Sequence, residues 1–181
     1  MCNTEINVVV NKQKSINTTE TTIKNTIQLA YQNAFDNNVS VFNGNVDQTS
    51  FSVALKTSVP QIMSAQFDHT YMMAFLGYKL YFDNAISSVE ITGAKYANTE
   101  LTISQNINGD LFAFSVETGK QLFSYKVGQV DFNSGVINIT RTDLINVSNA
   151  IAIIRSRYPT IKTLRNNFLR NNNVSVNVNY G

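Results

Sequence analysis

Asp68-His69 is the one acid–histidine neighbour pair in the chain, and His69 is the single histidine of 181 residues. In a turn the two could act as a general acid–base dyad. On a strand they would point to opposite faces and could not cooperate. The sequence offers no identifiable nucleophile to go with them, so His69 reads as a structural or solvent-facing residue. Cys2 is the only cysteine, which excludes an internal disulfide framework. Together Cys2 and His69 are too few for a conventional zinc site. Placed at what reads as a mobile terminus, Cys2 is expected to be inert or merely oxidisable. Asp110, Glu117 and Asp131 would be the raw material for a glycosidase pair. Each lies beside a turn, where carboxylates are commonplace. No phosphate-binding loop, dinucleotide fingerprint, HExxH, GxSxG or EF-hand pattern occurs. The expectation is a protein that is not an enzyme and holds no cofactor or metal.

The composition supports a folded chain with a real core: 43% of residues are apolar and 14% charged, the reverse of a disordered profile. Asparagine is in excess, with 25 of 181 residues. An AT-rich coding bias would account for it. A low-charge skin of Asn, Ser and Thr also suits wet contacts among fixed partners, where buried charge would cost desolvation. The five Asn-x-Ser/Thr sequons are what such a composition supplies by chance. Net charge is +2, unevenly spread: residues up to Thr140 sum to −3, and those from Arg141 onward to +5. All five arginines lie in that last part. The lysine density and interleaved aromatics of nucleic-acid binders are missing, which disfavours a nucleic-acid partner.

The N-terminus lacks the charged start and long apolar run of a secretion signal. The most apolar stretch, Tyr71–Phe82, is too short for a membrane helix. The expectation is a protein made in a reducing cytosol, with no membrane partner.

These residues must be positioned by recognisable elements. Residues 1–17 read as a polar arm or a lone strand, and 18–181 as a single domain. Ile23, Ile27, Tyr31 and Phe35, spaced by four, make one stripe of an amphipathic helix over about 19–36, capped by Thr18 or Thr19. Residues 50–58 read as a short helix, with a strand as the alternative. Strands are expected at Gln61–Phe67, Tyr71–Phe75, Lys79–Phe82, Ser88–Ile91, Glu100–Ser104, Leu111–Val116 and Gln121–Val127. Asn106–Gly109 reads as a hairpin tip, and Asn133-Ser134-Gly135 joins Gln129–Phe132 to Val136–Thr140. Ser148–Arg157 reads as a buried strand, Thr160 as the cap of a helix of two or three turns. Val174–Tyr180 alternates strictly, with Val174, Val176 and Val178 toward a core. The fold class expected is therefore α+β: one long N-terminal amphipathic helix, a mainly antiparallel β body, and a short helix before a C-terminal strand.

The segment Gly128-Gln129-Val130-Asp131-Phe132-Asn133-Ser134-Gly135-Val136-Ile137-Asn138-Ile139 resembles the Gly-x-hydrophobic-Asp-aromatic-x-x-Gly-hydrophobic hairpin of baseplate wedge proteins of T-even-type contractile-tailed phages. In physical terms Asp131 can bond the turn backbone and Gly135 permits positive φ. The succession of elements after this hairpin is also similar to the C-terminal portion of the larger wedge subunit: a hydrophobic strand Ala150–Tyr158, Pro159, then Thr160–Leu169 and a valine-rich strand. There an Arg-Asn pair precedes the last strand, matched here by Arg165-Asn166. The family's chains are several times longer, so the contacts of their N-terminal parts do not carry over.

The resemblance implies a structural virion component. It would be a homo-oligomer or ring subunit contacting other tail or baseplate proteins, made in the host cytoplasm and located in the tail baseplate. Asp131 and Gly135 would shape the hairpin. Arg165 and Asn166 would form an inter-subunit or intradomain clamp, and the valine strand would pair with a neighbour. The alternative reading is a receptor- or carbohydrate-binding β-rich module of a phage tail, with Tyr71, Tyr78, Tyr81 and Tyr96 as an aromatic platform.

Overall fold

The computed structural model describes residues 1–41, 44–82, 84–158, 160–162 and 171–181. It corrects the expected α+β class: 47% of the chain is strand and 20% helix, so the protein is mostly β. The elements in chain order are β1 (Cys2–Val10), α1 (Glu20–Asn38), β2 (Asn45–Asp47), α2 (Gln48–Ser58), β3 (Ile62–Ala74), β4 (Lys79–Tyr81), β5 (Ile86–Tyr96) and β6 (Thr99–Gln105). They continue with β7 (Asp110–Ser115), β8 (Gly128–Asp131), β9 (Val136–Ile139), β10 (Ile151–Ser156), β11 (Thr160–Lys162) and β12 (Asn171–Tyr180). Ten strands join in one hydrogen-bonded order, β12-β1-β3-β10-β5-β6-β7-β8-β9-β4, and β11 pairs with β2. The chain divides into two compact units, Met1–His69 with Pro159–Gly181, and Thr70–Tyr158.

In the first unit the long helix is the second major element, not the N-terminal one. Residues 2–10 form a nine-residue strand that buries Cys2, Thr4, Ile6, Val8 and Val10 on one face. The polar residues that make this stretch look like an arm occupy the other face, as period-2 geometry requires. β12 runs parallel to β1, with Ile6 opposite Val176 and Val8 opposite Val178. Helix α1 starts at Thr19, whose side chain accepts the Thr22 N–H at 3.2 Å. It buries the four-spaced stripe Ile23, Ile27, Tyr31 and Phe35. Helix α2 is capped by Asp47, which accepts the Thr49 N–H at 3.0 Å, and buries Phe51 and Leu55. Their rings meet Phe67 and His69 from β3: Tyr31 and Phe51 centroids lie 4.8 Å apart, and Phe51 and Phe67 5.8 Å. Such tilted aromatic pairs add to the burial of apolar area.

The expected break between Gln61–Phe67 and Tyr71–Phe75 does not exist, because β3 continues through both. Asp68-His69 interrupts the hydrophobic pattern, yet alternation persists, with Phe67, His69 and Tyr71 all buried. The expected helix after Pro159 begins instead as strand β11, whose Ile161 pairs with Val46. The rest of that expected helix, residues 163–170, lies outside the described residues.

The second unit is an antiparallel meander, β5-β6-β7-β8-β9, closed by β4 on β9. β10 is inserted between β3 and β5. Its core is an alternating set of aliphatics that includes Ile91, Ile103, Leu111, Ile137 and Ile154. The strand expected over Gln121–Val127 is absent. Only Gln121 bridges to Phe114, while Phe123 stacks on Tyr125 at 5.3 Å and meets Tyr96 edge-on at 5.1 Å. Backbone bonds from Leu122 to the Ala113 carbonyl and from Val127 to the Leu111 carbonyl, both at 2.8 Å, flank the ring packing.

Candidate functional site

The hairpin joining β8 to β9 is organised by two of the residues singled out in the sequence. Asp131 closes β8, and its Oδ1 accepts the backbone N–H of Asn133 at 3.0 Å and of Ser134 at 3.1 Å. These bonds, led by that from Ser134, hold the Asp131 carboxyl below the usual carboxylate range. Gly135 has φ +72° and donates its N–H to the Asp131 carbonyl at 2.9 Å. Its own carbonyl accepts the Phe82 N–H at 2.8 Å, and the Phe132 carbonyl accepts the Ile86 N–H at 2.7 Å. The turn is thus a rigid bracket tied to the segment between β4 and β5. Asp131→Ala should lower the urea midpoint, whereas Asp131→Asn, which keeps an acceptor, should retain most of it. The stabilisation from Asp131 should be present above the unfolded carboxylate pKa and fade as pH falls through the lower folded value. Equal midpoints for Asp131→Ala and Asp131→Asn would contradict this role.

The terminal strand β12 stands last in the order, with β1 on one side. No strand flanks its other edge among the described residues. Val176 is buried, Val174 and Val178 are half-buried, and Asn173, Ser175, Asn177 and Asn179 are exposed. Asn177 donates to Glu5 Oε1 and Asn7 Oδ1, both at 3.0 Å, and Gln28 of α1 donates to the Val174 carbonyl at 3.1 Å. Main-chain bonds Gly181 N–H to Val10 O (3.0 Å) and Lys12 N–H to Gly181 O (3.2 Å) pin the chain end. Arg165 and Asn166 lie outside the described residues.

His69 is not solvent-facing. Its ring, 8% exposed, places Nε2 at 2.8 Å from the Tyr31 hydroxyl, which lies 2.8 Å from Thr4 Oγ1; Cys2 Sγ is next, at 3.9 Å. One consistent arrangement has a neutral imidazole Nε2 accepting the Tyr31 O–H and Tyr31 accepting the Thr4 O–H, while the Cys2 S–H donates to the Asn3 carbonyl at 3.7 Å. Burial lowers the His69 pKa to about 4 and raises the Cys2 thiol to about 12. Cys2 is fully buried, which corrects the reading of a mobile terminus and favours the inert thiol over the oxidisable one. Periodicity marks Tyr31 only as part of the apolar stripe. Nothing local in the sequence links it to His69 or Thr4, which are 38 and 27 residues away.

The carboxylates weighed as a glycosidase pair have separate partners: Asp110 takes Lys126 Nζ at 2.8 Å, and Asp131 takes its own turn. Among the described residues no three His, Cys, Asp or Glu side chains cluster as metal ligands, and no helix is long and apolar enough to cross a membrane. Of the tyrosines proposed as a platform, Tyr71 is buried against Phe82, with centroids 5.4 Å apart, and cannot contribute. Tyr96 is engaged by Phe123, and only Tyr78 and Tyr81 present exposed rings. No protein-family model matches the chain, and no curated protein matches it.

Proposed function

We propose that this chain is a structural component of a phage tail baseplate, a wedge subunit or its C-terminal domain, which works through contacts with copies of itself and other tail proteins. The observation that carries this reading is the outer edge of β12. Ten consecutive residues, Asn171–Tyr180, contain no charge and no proline, and the strand ends the hydrogen-bonded order. Monomeric proteins blunt long edges with lysine, proline or bulges, because unpaired N–H and C=O groups recruit further strands. Gln28 takes the Val174 carbonyl, and the register with β1 shifts once, between Cys2 and Asn3; the strand is otherwise a long neutral edge, which suits strand addition within an assembly. The bracket built by Asp131 and Gly135 supports the same reading, since it occupies the segment that resembles wedge proteins and stiffens the backbone.

Purified protein should self-associate, or co-purify with tail subunits from particles. Substituting lysine at both Asn173 and Asn179, exposed positions of β12, should abolish that association while changing folding stability by no more than about 0.5 kcal/mol. Sedimentation analysis checks the association and urea unfolding the stability. A strictly monomeric wild-type chain with no partner in particles would overturn the assembly reading.

A further inference from the structure

The second unit carries a polar concavity of about 650 Å³, within the range of small-ligand sites. Its floor comes from strand register. Lys79, Asn138 and Gln129 lie side by side across β4, β9 and β8, and Tyr81, Val136 and Asp131 form the next row. Residues opposite one another across strands share a face, so an ammonium and two amides project together. Asn108, from the β6–β7 turn, and Arg157, beyond β10, complete the polar wall.

The guanidinium is held in place. Arg157 Nη1 donates to Asn133 Oδ1 at 3.1 Å, and the Asn133 backbone N–H is fixed by Asp131 at 3.0 Å. Asp131 is therefore a positioning residue for the cation as well as the closer of the turn. The described lining carries two cations against this single carboxylate. Asp131 Oδ1 is already occupied by two N–H donors.

From this arrangement we propose that the face formed by β4, β9 and β8 binds a carboxylate-bearing saccharide. Arg157 and Lys79 take the carboxylate, for which a guanidinium is geometrically matched. The amides of Asn108, Gln129 and Asn138 serve the ring hydroxyls, because each amide both donates and accepts, as a hydroxyl does. A site for phosphate alone would need the cations but not the amide row. The exposed Tyr81 ring shares the face of Val136 and lies 5.8 Å from the Lys79 ammonium, leaving an apolar margin for a sugar face. The site does not rest on the assembly reading, and either can fail without the other.

The test is an amide NMR titration of the full chain with glucuronic acid, glucose, acetate and inorganic phosphate in parallel. Glucuronic acid should give saturable shifts at Gln129, Asn138 and Arg157, at an affinity at least about tenfold above that of glucose or acetate. Arg157→Gln and Lys79→Gln should each weaken it about tenfold, with unchanged circular dichroism, while Arg141→Gln, on a different part of the unit, should leave it as in the wild type. Acetate or phosphate binding as well as glucuronic acid would overturn the saccharide assignment. So would equal affinity for glucose. Absence of saturable shifts at these residues would overturn the site itself.

Discussion

Gly135→Ala should destabilise the second unit by about 3 kcal/mol, enough to unfold a marginal domain. Two costs combine. At φ +72° an L-residue is strained by about 1–2 kcal/mol. The added methyl would also come within 2.2 Å of the Asn84 carbonyl oxygen and 3.1 Å of its nitrogen. That neighbour is backbone, not a flexible side-chain tip, so it can yield only by shifting the segment whose Phe82 N–H bonds the Gly135 carbonyl. Overpacking of this kind costs about 1–3 kcal/mol. Gly119→Ala isolates the first cost: φ is +68° there, yet nothing lies within 4 Å of the new atom. It should lose only about 1 kcal/mol. Urea unfolding of the two variants against wild type makes the comparison. Equal losses would mean that the contact with Asn84 does not hold the turn, and the bracket described for Asp131 and Gly135 would lose its physical basis.

Acid should weaken the first unit through His69. Its folded pKa, about 4, is depressed from 6.5 chiefly by burial, with Asp68 acting in the opposite direction. Between those values the unfolded chain binds a proton that the folded chain refuses, so stability falls as pH drops from about 6.5 to about 4 and is unaffected by this group below that. A shift of this size corresponds to about 3 kcal/mol in all. The geometry supplies the reason: a protonated imidazole has no acceptor to offer the Tyr31 hydroxyl 2.8 Å away, so the chain through Thr4 must reverse in a site with little water. His69→Gln removes the titrating group. The variant should be less stable at neutral pH, but its denaturant midpoint should decline less steeply between pH 6.5 and 4. Parallel pH profiles for the two proteins would refute the assignment.

Local pattern was enough for some of this architecture. The four-residue spacing of Ile23, Ile27, Tyr31 and Phe35 determines which side of α1 is buried, because helical periodicity places them on one face whatever they pack against. The turn chemistry of Asp131 and Gly135 and the alternation of Val174, Val176 and Val178 were legible for the same reason: each depends on a few neighbouring residues. The helix start expected at Thr160, the strand at Gln121–Val127 and the gap in β3 misled, because each was a short segment whose state is set by its partner. The parallel pairing of β1 with β12 turns an apparent arm into core, and the meeting of Thr4, Tyr31 and His69 makes a solitary histidine part of a buried chain. Lys79 and Arg157 converge on one concavity only through strand register and the Asn133 bond. Burial and cross-strand pairing join residues up to about the whole chain apart, and their free energy exists only once the ends have met, so no local pattern could announce them.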